Sequence, residues 1–316
     1  MTSPLERSSR ARLLMIGNVP VDLTLRLDRW PRRGEDIRAD EAMMLAGGGF
    51  HVLRAARRAG LRAAYAGTHG TGPLGDLVRA ALVDLDCELL QRPMADRDSG
   101  WVVVLVDSTG ERTFVTSPDT VVGYDKPLLD SLRPAAHDLV YVSGYSLGLA
   151  ELSRPLAAWV AALDPGPGVF CDLGPWGAAA STEILSPVLE RLDWLSCSGD
   201  EAILVTGAAD PAAACTALQR RTRNAVVLVR AGARGCWVAT PSGDLELLPA
   251  PDVGRVLDTT GAGDTHSGAF LGAVAAGASW RAAVQSANAA AALAVSVTGT
   301  ASWAEAAGVP AVGEEG

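Results

Sequence analysis

Asp258-Thr259-Thr260-Gly261-Ala262-Gly263-Asp264-Thr265-His266-Ser267-Gly268-Ala269-Phe270 opens a long Ala-rich helical pattern near the end of the chain. Gly261 and Gly263, set at the start of that pattern, let the backbone approach a ligand closely. A helix N-terminus presents unpaired N–H groups and about half a positive charge, which together favour an anion. Asp264 falls in the first turn, where its carboxylate is electrostatically favoured and is expected to stay ionised. A phosphate held by Gly261, Ala262 and Gly263 would then lie within reach of a carboxylate base. Phosphoryl transfer to a hydroxyl needs that pairing of base and charge-stabilising amides. The plain alternative is a glycine turn that caps a helix, with Asp264 complementing its dipole. No lysine follows the glycines as it would in a P-loop, so that nucleotide motif is excluded. Spacing alone leaves the two readings open.

Upstream, short Val-, Leu- and Ile-rich runs alternate with helical stretches. Arg12–Ile16, Ala63–Ala66, Trp101–Val106, Leu139–Val142, Val169–Cys171, Trp194–Cys197 and Ala225–Val229 read as strands. Gly49–Ala59, Pro73–Asp84, Leu149–Leu163, Asp200–Thr206 and Pro211–Arg220 read as helices, followed by two more between Ala262 and about Val297. The alternation predicts an α/β fold with a mainly parallel sheet covered on both faces. Two strand pairs break it: Leu23–Leu27 with Asp36–Met44, and Trp101–Val106 with Arg112–Thr116. Asp107-Ser108-Thr109-Gly110 is a turn signal joining the second pair. Such strands predict a small separate sheet that projects as a lid. The tail after Ala306 is expected to fray.

Composition narrows the function. The chain has 316 residues, 48% of them hydrophobic, and a formal net charge of −9. That sign disfavours nucleic acid and anionic membranes as partners. The basic run Arg54 to Arg58 with Arg62 reads as a solvated helix face. Five dispersed cysteines without a C-x-x-C predict buried, reduced thiols and neither zinc nor disulfides. The first ten residues lack a signal peptide's apolar stretch, and no run approaches the roughly 18 apolar residues of a membrane span. A cytoplasmic location is the expectation.

Asp258-Thr259-Thr260-Gly261-Ala262-Gly263-Asp264-Thr265 resembles the C-terminal signature of the ribokinase-like (PfkB) carbohydrate and nucleoside kinases. The likeness extends from about residue 12 to 305. It implies a three-layer α/β/α main body, one domain over residues 1–316, and a β-sheet lid within about 22–45 and 100–117. It further implies an enzyme that moves the γ-phosphate of ATP to a hydroxyl of a sugar, with Mg²⁺ bound. By the resemblance Asp264 is the base for a primary hydroxyl, and the amides of Gly261, Ala262 and Gly263 form the anion hole. Asp22, after the first strand, corresponds to the family's acid for sugar hydroxyls, and a carboxylate is a sound acceptor for two vicinal hydroxyls. Ala46-Gly47-Gly48-Gly49-Phe50-His51 resembles the N-terminal signature, so Gly47, Gly48, Gly49 and His51 are expected against the substrate. His51 stands where the family usually shows Asn, which leaves the identity of the substrate open.

Ser198-Gly199-Asp200-Glu201 lies where the family carries Asn-x-x-Glu, implying that Ser198 and Glu201 influence Mg²⁺ and phosphate; a helix cap with an acidic first turn is the plain alternative. Arg230, Gly232 and Gly235 resemble the segment bordering the nucleotide phosphates, and Asn288 matches a position beside the adenine. Asp258 and Thr260 occupy places that bind a monovalent cation such as K⁺ in some members. Many members dimerise through the lid, so a homodimer is implied. A nucleoside kinase of the same fold and a non-catalytic metabolite- or nucleotide-binding homologue are the alternatives.

Two motif matches are declined. Gly70-Thr71-Gly72-Pro73-Leu74-Gly75 fits G-x-G-x-x-G, but no strand-end acid follows at the right distance. Gly144-Tyr145-Ser146-Leu147-Gly148 fits a nucleophile elbow, yet the only later histidine, His266, lies inside the signature above. His69 and His137 have no metal-ligand spacing.

Overall fold

Along the first strand Leu13 and Met15 belong to one apolar cluster, while Leu14 and Ile16 belong to another. Alternate side chains therefore enter two cores, which requires cover on both faces of the sheet. The computed structural model describes residues 11–108, 110–117 and 126–296. In chain order, β1 (Arg12–Ile16), β2 (Val21–Arg26) and β3 (Glu41–Ala46) precede α1 (Gly49–Arg58), β4 (Arg62–Tyr65), α2 (Pro73–Asp84) and β5 (Cys87–Leu89). A hairpin of β6 (Trp101–Val106) and β7 (Arg112–Thr116) is followed by α3 (Lys126–Ser131), β8 (Leu139–Ser143), α4 (Gly144–Leu147) and α5 (Ala150–Ala161). Next come β9 (Gly168–Asp172), α6 (Gly174–Ala178), α7 (Thr182–Arg191), β10 (Trp194–Ser198), α8 (Gly199–Thr206), α9 (Pro211–Gln219) and β11 (Val226–Arg230). Strands β12 (Cys236–Ala239) and β13 (Leu245–Leu248) precede α10 (Ala262–Ala275) and α11 (Trp280–Val295).

The large sheet has the order β13-β12-β11-β10-β9-β8-β1-β4-β5. From β11 to β5 the neighbours are parallel, and β12 and β13 close one edge antiparallel. Leu156, Val188 and Leu218 of α5, α7 and α9 fill one core; Leu53, Val78, Phe270 and Val284 of α1, α2, α10 and α11 fill the other. This is a three-layer α/β/α arrangement, as the resemblance implies. The second sheet, β3-β2-β6-β7, stands apart as the lid. Its turn is built as read: Gly110 N–H donates to Asp107 O at 2.9 Å, and Glu111 N–H to the Asp107 carboxylate at 3.1 Å. Thr109 lies outside the described residues, as does the tail after Ala306.

Several details depart from the sequence reading. Strand β3 begins at Glu41, where pairing with Arg26 starts, and residues 36–40 form no strand. The edge strands β5 and β13, the adjoining β12 and the helices α3, α4, α6 and α7 were not anticipated. Pro175 and Pro187 disguise α6 and α7, since proline usually punctuates a helix. The basic run is not a solvated face throughout. Arg54 is buried, with its guanidinium 5.7 Å from the Phe50 ring centroid, while Arg58 and Arg62 are exposed. All five cysteines are free and buried.

Glycines in α10 decide how the site is assembled. A Cβ at Gly268 would lie 2.3 Å from Val52 O, and one at Gly272 would lie 2.2 Å from the Ala59 Cβ. Helices α1 and α10 thus pack at glycine contact distance, which brings their N-termini together. A Cβ at Gly261, whose φ is 68°, would lie 2.6 Å from His51 Cδ2.

Candidate active site

The strand order reverses at β1: its sequence successors run to β4 and β5 on one side and to β8 through β11 on the other. Open α/β sheets bind ligands beyond the carboxyl ends of the strands at such a point. A cleft of about 400 Å³ lies there, under the lid. Asp22 and Arg112 come to it from the lid, Asp172 and Arg230 from the ends of β9 and β11. Helices α1, α8 and α10 supply His51, Glu201 and Asp264.

Asp264 sits in the first turn of α10 beside Gly261, Ala262 and Gly263, all of which line the cleft. Burial pushes its carboxyl up to about 7; Asp172, Asp22 and Glu201 push the same way, and Arg230 pulls it down. The expectation of a permanently ionised Asp264 is therefore corrected: desolvation and three neighbouring acids outweigh the helix dipole. Near neutral pH the group is poised between its two forms, as suits a general base.

On the acceptor side, the Asp22 carboxylate lies over Gly47, whose Cβ would sit 2.1 Å from Asp22 Cγ. Burial raises Asp22 to about 7 as well. His51 is 2% exposed and is pushed down to about 3 by burial and then by Arg54, so its ring is neutral. Arg54 faces His51 Nδ1 at 3.4 Å, which leaves the proton on Nε2. That atom is buried without a hydrogen-bond partner, 4.0 Å from Asp22 Oδ2. A donor and an acceptor so spaced fit one hydroxyl between them. Gly48, at φ 53°, and Gly49 complete this wall.

On the opposite side, Arg230 donates to both Asp172 oxygens, at 2.8 and 3.1 Å, and to Ser196 Oγ. Burial opposes its charge, but the Asp172 pair raises its pKa further and keeps it cationic. Glu201 lies 4.0 Å from Arg230, and burial, then Asp172, raise its pKa. Ser198 and Glu201 form the capping box in full: Ser198 N–H donates to Glu201 Oε2 at 2.8 Å, and Glu201 N–H to Ser198 Oγ at 3.2 Å. The plain alternative for this motif is thus present, while Glu201 also faces the cleft.

Other expected residues lie elsewhere. Asn288 is 4% exposed and binds the carbonyls of Leu248 and Pro249 and the ring of His266, so its side chain is committed to joining β13, α10 and α11. Asn288 is not among the residues that line the cleft. Gly232 and Gly235 do not line the cleft; a Cβ at Gly235 would lie 2.0 Å from Leu248 O, so this glycine serves the β12–β13 edge. Asp258 Oδ1 accepts from the Arg112 guanidinium and from Thr260 N–H at 2.7 Å, an arrangement that does not fit an open cage for a monovalent cation. Ser146 is fully buried, with Asn18 Nδ2 at 3.4 Å from its Oγ, and His266 faces Asn288 instead. In the Gly70–Gly75 loop the Asp98 carboxylate accepts the N–H groups of Leu74 and Gly75, filling the place of an external anion.

Asp172 and Arg112 escaped the sequence reading. A lone acid ending the apolar strand at Cys171-Asp172 was a usable signal. For Arg112, whose partner Asp258 is 146 positions away, no local signal exists.

The profile of the pfkB family carbohydrate kinases matches residues 10–307. An uncharacterized sugar kinase of Escherichia coli is 28% identical over 280 residues, covering 86% of this chain and 84% of the relative. Arabidopsis thaliana ribokinase is 26% identical over 306 residues, covering 91% and 76%. Among solved structures, Thermotoga maritima ribokinase superposes with a TM-score of 0.77 at 20% identity, over 92% of this chain and 95% of that one. The Arabidopsis enzyme, complexed with ribose and ATP, superposes with a TM-score of 0.68 at 22% identity, over 91% and 93%.

Proposed function

This chain belongs to the pfkB carbohydrate kinase family, and on that premise we propose that it transfers the terminal phosphoryl group of ATP to a hydroxyl of a sugar. The observation that carries the reading is Asp264, a half-buried carboxylate in the first turn of α10, beside the amides of Gly261, Ala262 and Gly263 and across one cleft from Asp22 and His51. The sugar lies under the lid, one hydroxyl bridging Asp22 and the His51 Nε2–H. Asp264 takes the proton of the attacking primary hydroxyl. As that O–H bond breaks, the new O–P bond forms and the bond from the γ-phosphorus to the ADP oxygen breaks. The amides of Gly261, Ala262 and Gly263 receive the charge on the moving group.

ATP lies along the ends of β10 and β11, with Glu201 and Arg230 facing its phosphates. Among the described residues no group of three or more ligating side chains could hold a metal by itself. The acids Glu201, Asp172 and Asp264 nonetheless crowd one wall with Arg230 as their near cation, a setting that suits a Mg²⁺ brought in on the triphosphate. Bound there, Mg²⁺ would neutralise charge on the phosphates, and Glu201 would help to hold it. Among the described residues no helix is long and apolar enough to cross a membrane.

The test is ADP production from ATP with a panel of sugars and nucleosides, with the product's phosphate ester followed by ³¹P NMR. A new ester with a sugar is expected. Preference for a nucleoside would shift the reading to the nucleoside kinases, and no ADP with any acceptor would favour a binding protein.

A further inference from the structure

Resting on the phosphotransfer reading, we infer that Asp172 is a positioning residue that clamps Arg230 against the glycine turn of α10, so that a fixed cation faces the phosphoryl group in flight. The geometry is two-pronged. Both guanidinium nitrogens NH1 and NH2 meet separate oxygens of Asp172, and NH1 also meets Ser196 Oγ from the intervening strand β10. A planar fork bound this way has one orientation, which a lysine cannot copy. Ser267 Oγ, on α10, donates to Asp172 Oδ2 at 2.7 Å and ties the clamp to the helix that carries Asp264. On its other side the guanidinium abuts Gly263: a Cβ there would lie 3.3 Å from Arg230 Cζ. The cation therefore lies next to the amides expected to hold the phosphoryl group.

A purely structural ion pair would explain this less well. Strands β9 and β11 are already joined through β10, and buried ion pairs add little to stability compared with apolar packing. This pair opens onto the cleft, with side chains 18% and 8% exposed.

The clamp also sets the charge of the base. Facing Asp264 are Asp172 from β9, Arg230 from β11, Glu201 from α8, Asp22 from β2, Tyr141 from β8 and Tyr145 from α4. Asp172 disfavours the ionised base and Arg230 favours it, so removing either partner moves Asp264 in opposite senses.

The experiment follows the Asp264 carboxyl by ¹³C NMR in the full chain, assigned through its loss in Asp264→Asn. The midpoint is expected to fall by about one pH unit in Asp172→Asn, to rise by about one unit in Arg230→Met, and to stay near wild type in Arg230→Lys. Binding of MgADP with aluminium fluoride, a mimic of the moving phosphoryl group, is expected to weaken about tenfold or more in both Arg230 variants. MgADP alone should change less than about threefold, because the clamp addresses the transferred group. Midpoints moving the same way in both partners, or not at all, would overturn the inference, as would unchanged binding of the mimic in Arg230→Met. Should a single variant fail to fold, Asp172→Asn/Arg230→Met removes both charges; unchanged mimic binding there is equally fatal. A wild type that binds no MgADP sinks the phosphotransfer reading itself. The midpoints then still decide whether the clamp governs Asp264.

Discussion

Asp264 illustrates how one residue carries a function at a cost to the fold. Its folded value of about 7 lies above the ordinary 3.8, so the folded chain holds a proton that the unfolded chain has released. That stabilising contribution is complete below pH 3.8 and is lost as pH rises through 7. Asp264→Asn, which never ionises, is therefore expected to gain on wild type in Tm by roughly 5 °C between pH 5 and pH 8. A Tm difference that stays constant over that range would show that the carboxyl is not held near neutrality. The same variant is expected to lose about 10²–10⁴-fold in turnover while binding ATP almost normally, as measured by kcat and by calorimetry. For the wild type, kcat/KM should climb with pH and level off above about 7, because only the ionised form accepts a proton. Activity that rises toward pH 5 would remove Asp264 from the base role.

Among the elements, the junction of β3 and α1 and the strand β7 matter most. Gly47 leaves room for the Asp22 carboxylate: a methyl group there would meet Asp22 Cγ at 2.1 Å and push that carboxylate out of its place in the cleft. Gly47→Ala is expected to raise the KM for the sugar at least about tenfold and leave the KM for ATP within about twofold, since a shift near 1 Å in a reacting group is costly. Strand β7 ties the lid to the main body: Arg112 binds Asp258 and Thr259 just ahead of the glycine turn, with both ion-pair side chains largely buried. Arg112→Gln keeps the shape and drops the charge. Amide hydrogen exchange in β6 and β7 should then quicken by about tenfold, with β8 to β11 unaffected. Equal quickening in both sheets would mean that Arg112 supports the whole fold instead of holding the lid.

For the whole molecule, the lid has two faces of different character. Asp22, Val102, Arg112, Phe114 and Thr116 line the cleft, while the register places Leu23, Met44, Val103 and Val115 together on the opposite face. Met44 is 49% exposed and Val115 55%, a row of apolar surface that a second lid would cover. We expect a dimer in sedimentation velocity, shifted toward monomer by Val115→Lys, with the cleft residues untouched. A wild type that remains monomeric at tens of micromolar would dismiss lid-to-lid pairing.

The division between sequence and structure follows from the range of the forces involved. Helix and strand periods, the glycine turn and the acid after it are local, so the α/β alternation, the lid strands and Asp264 were legible along the chain. Capping at Ser198 and Glu201 was legible for the same reason. The edge hairpin β12–β13 and the short proline-bearing helices were not, because tertiary packing overrides their weak local signals. Asp172, Arg230 and Ser267 meet across 95 and 58 positions, and only the parallel sheet makes them neighbours. Charge state was the least legible property of all. Whether a carboxylate keeps its proton depends on how much water and how many other charges the folded chain leaves around it, and no stretch of sequence contains that information.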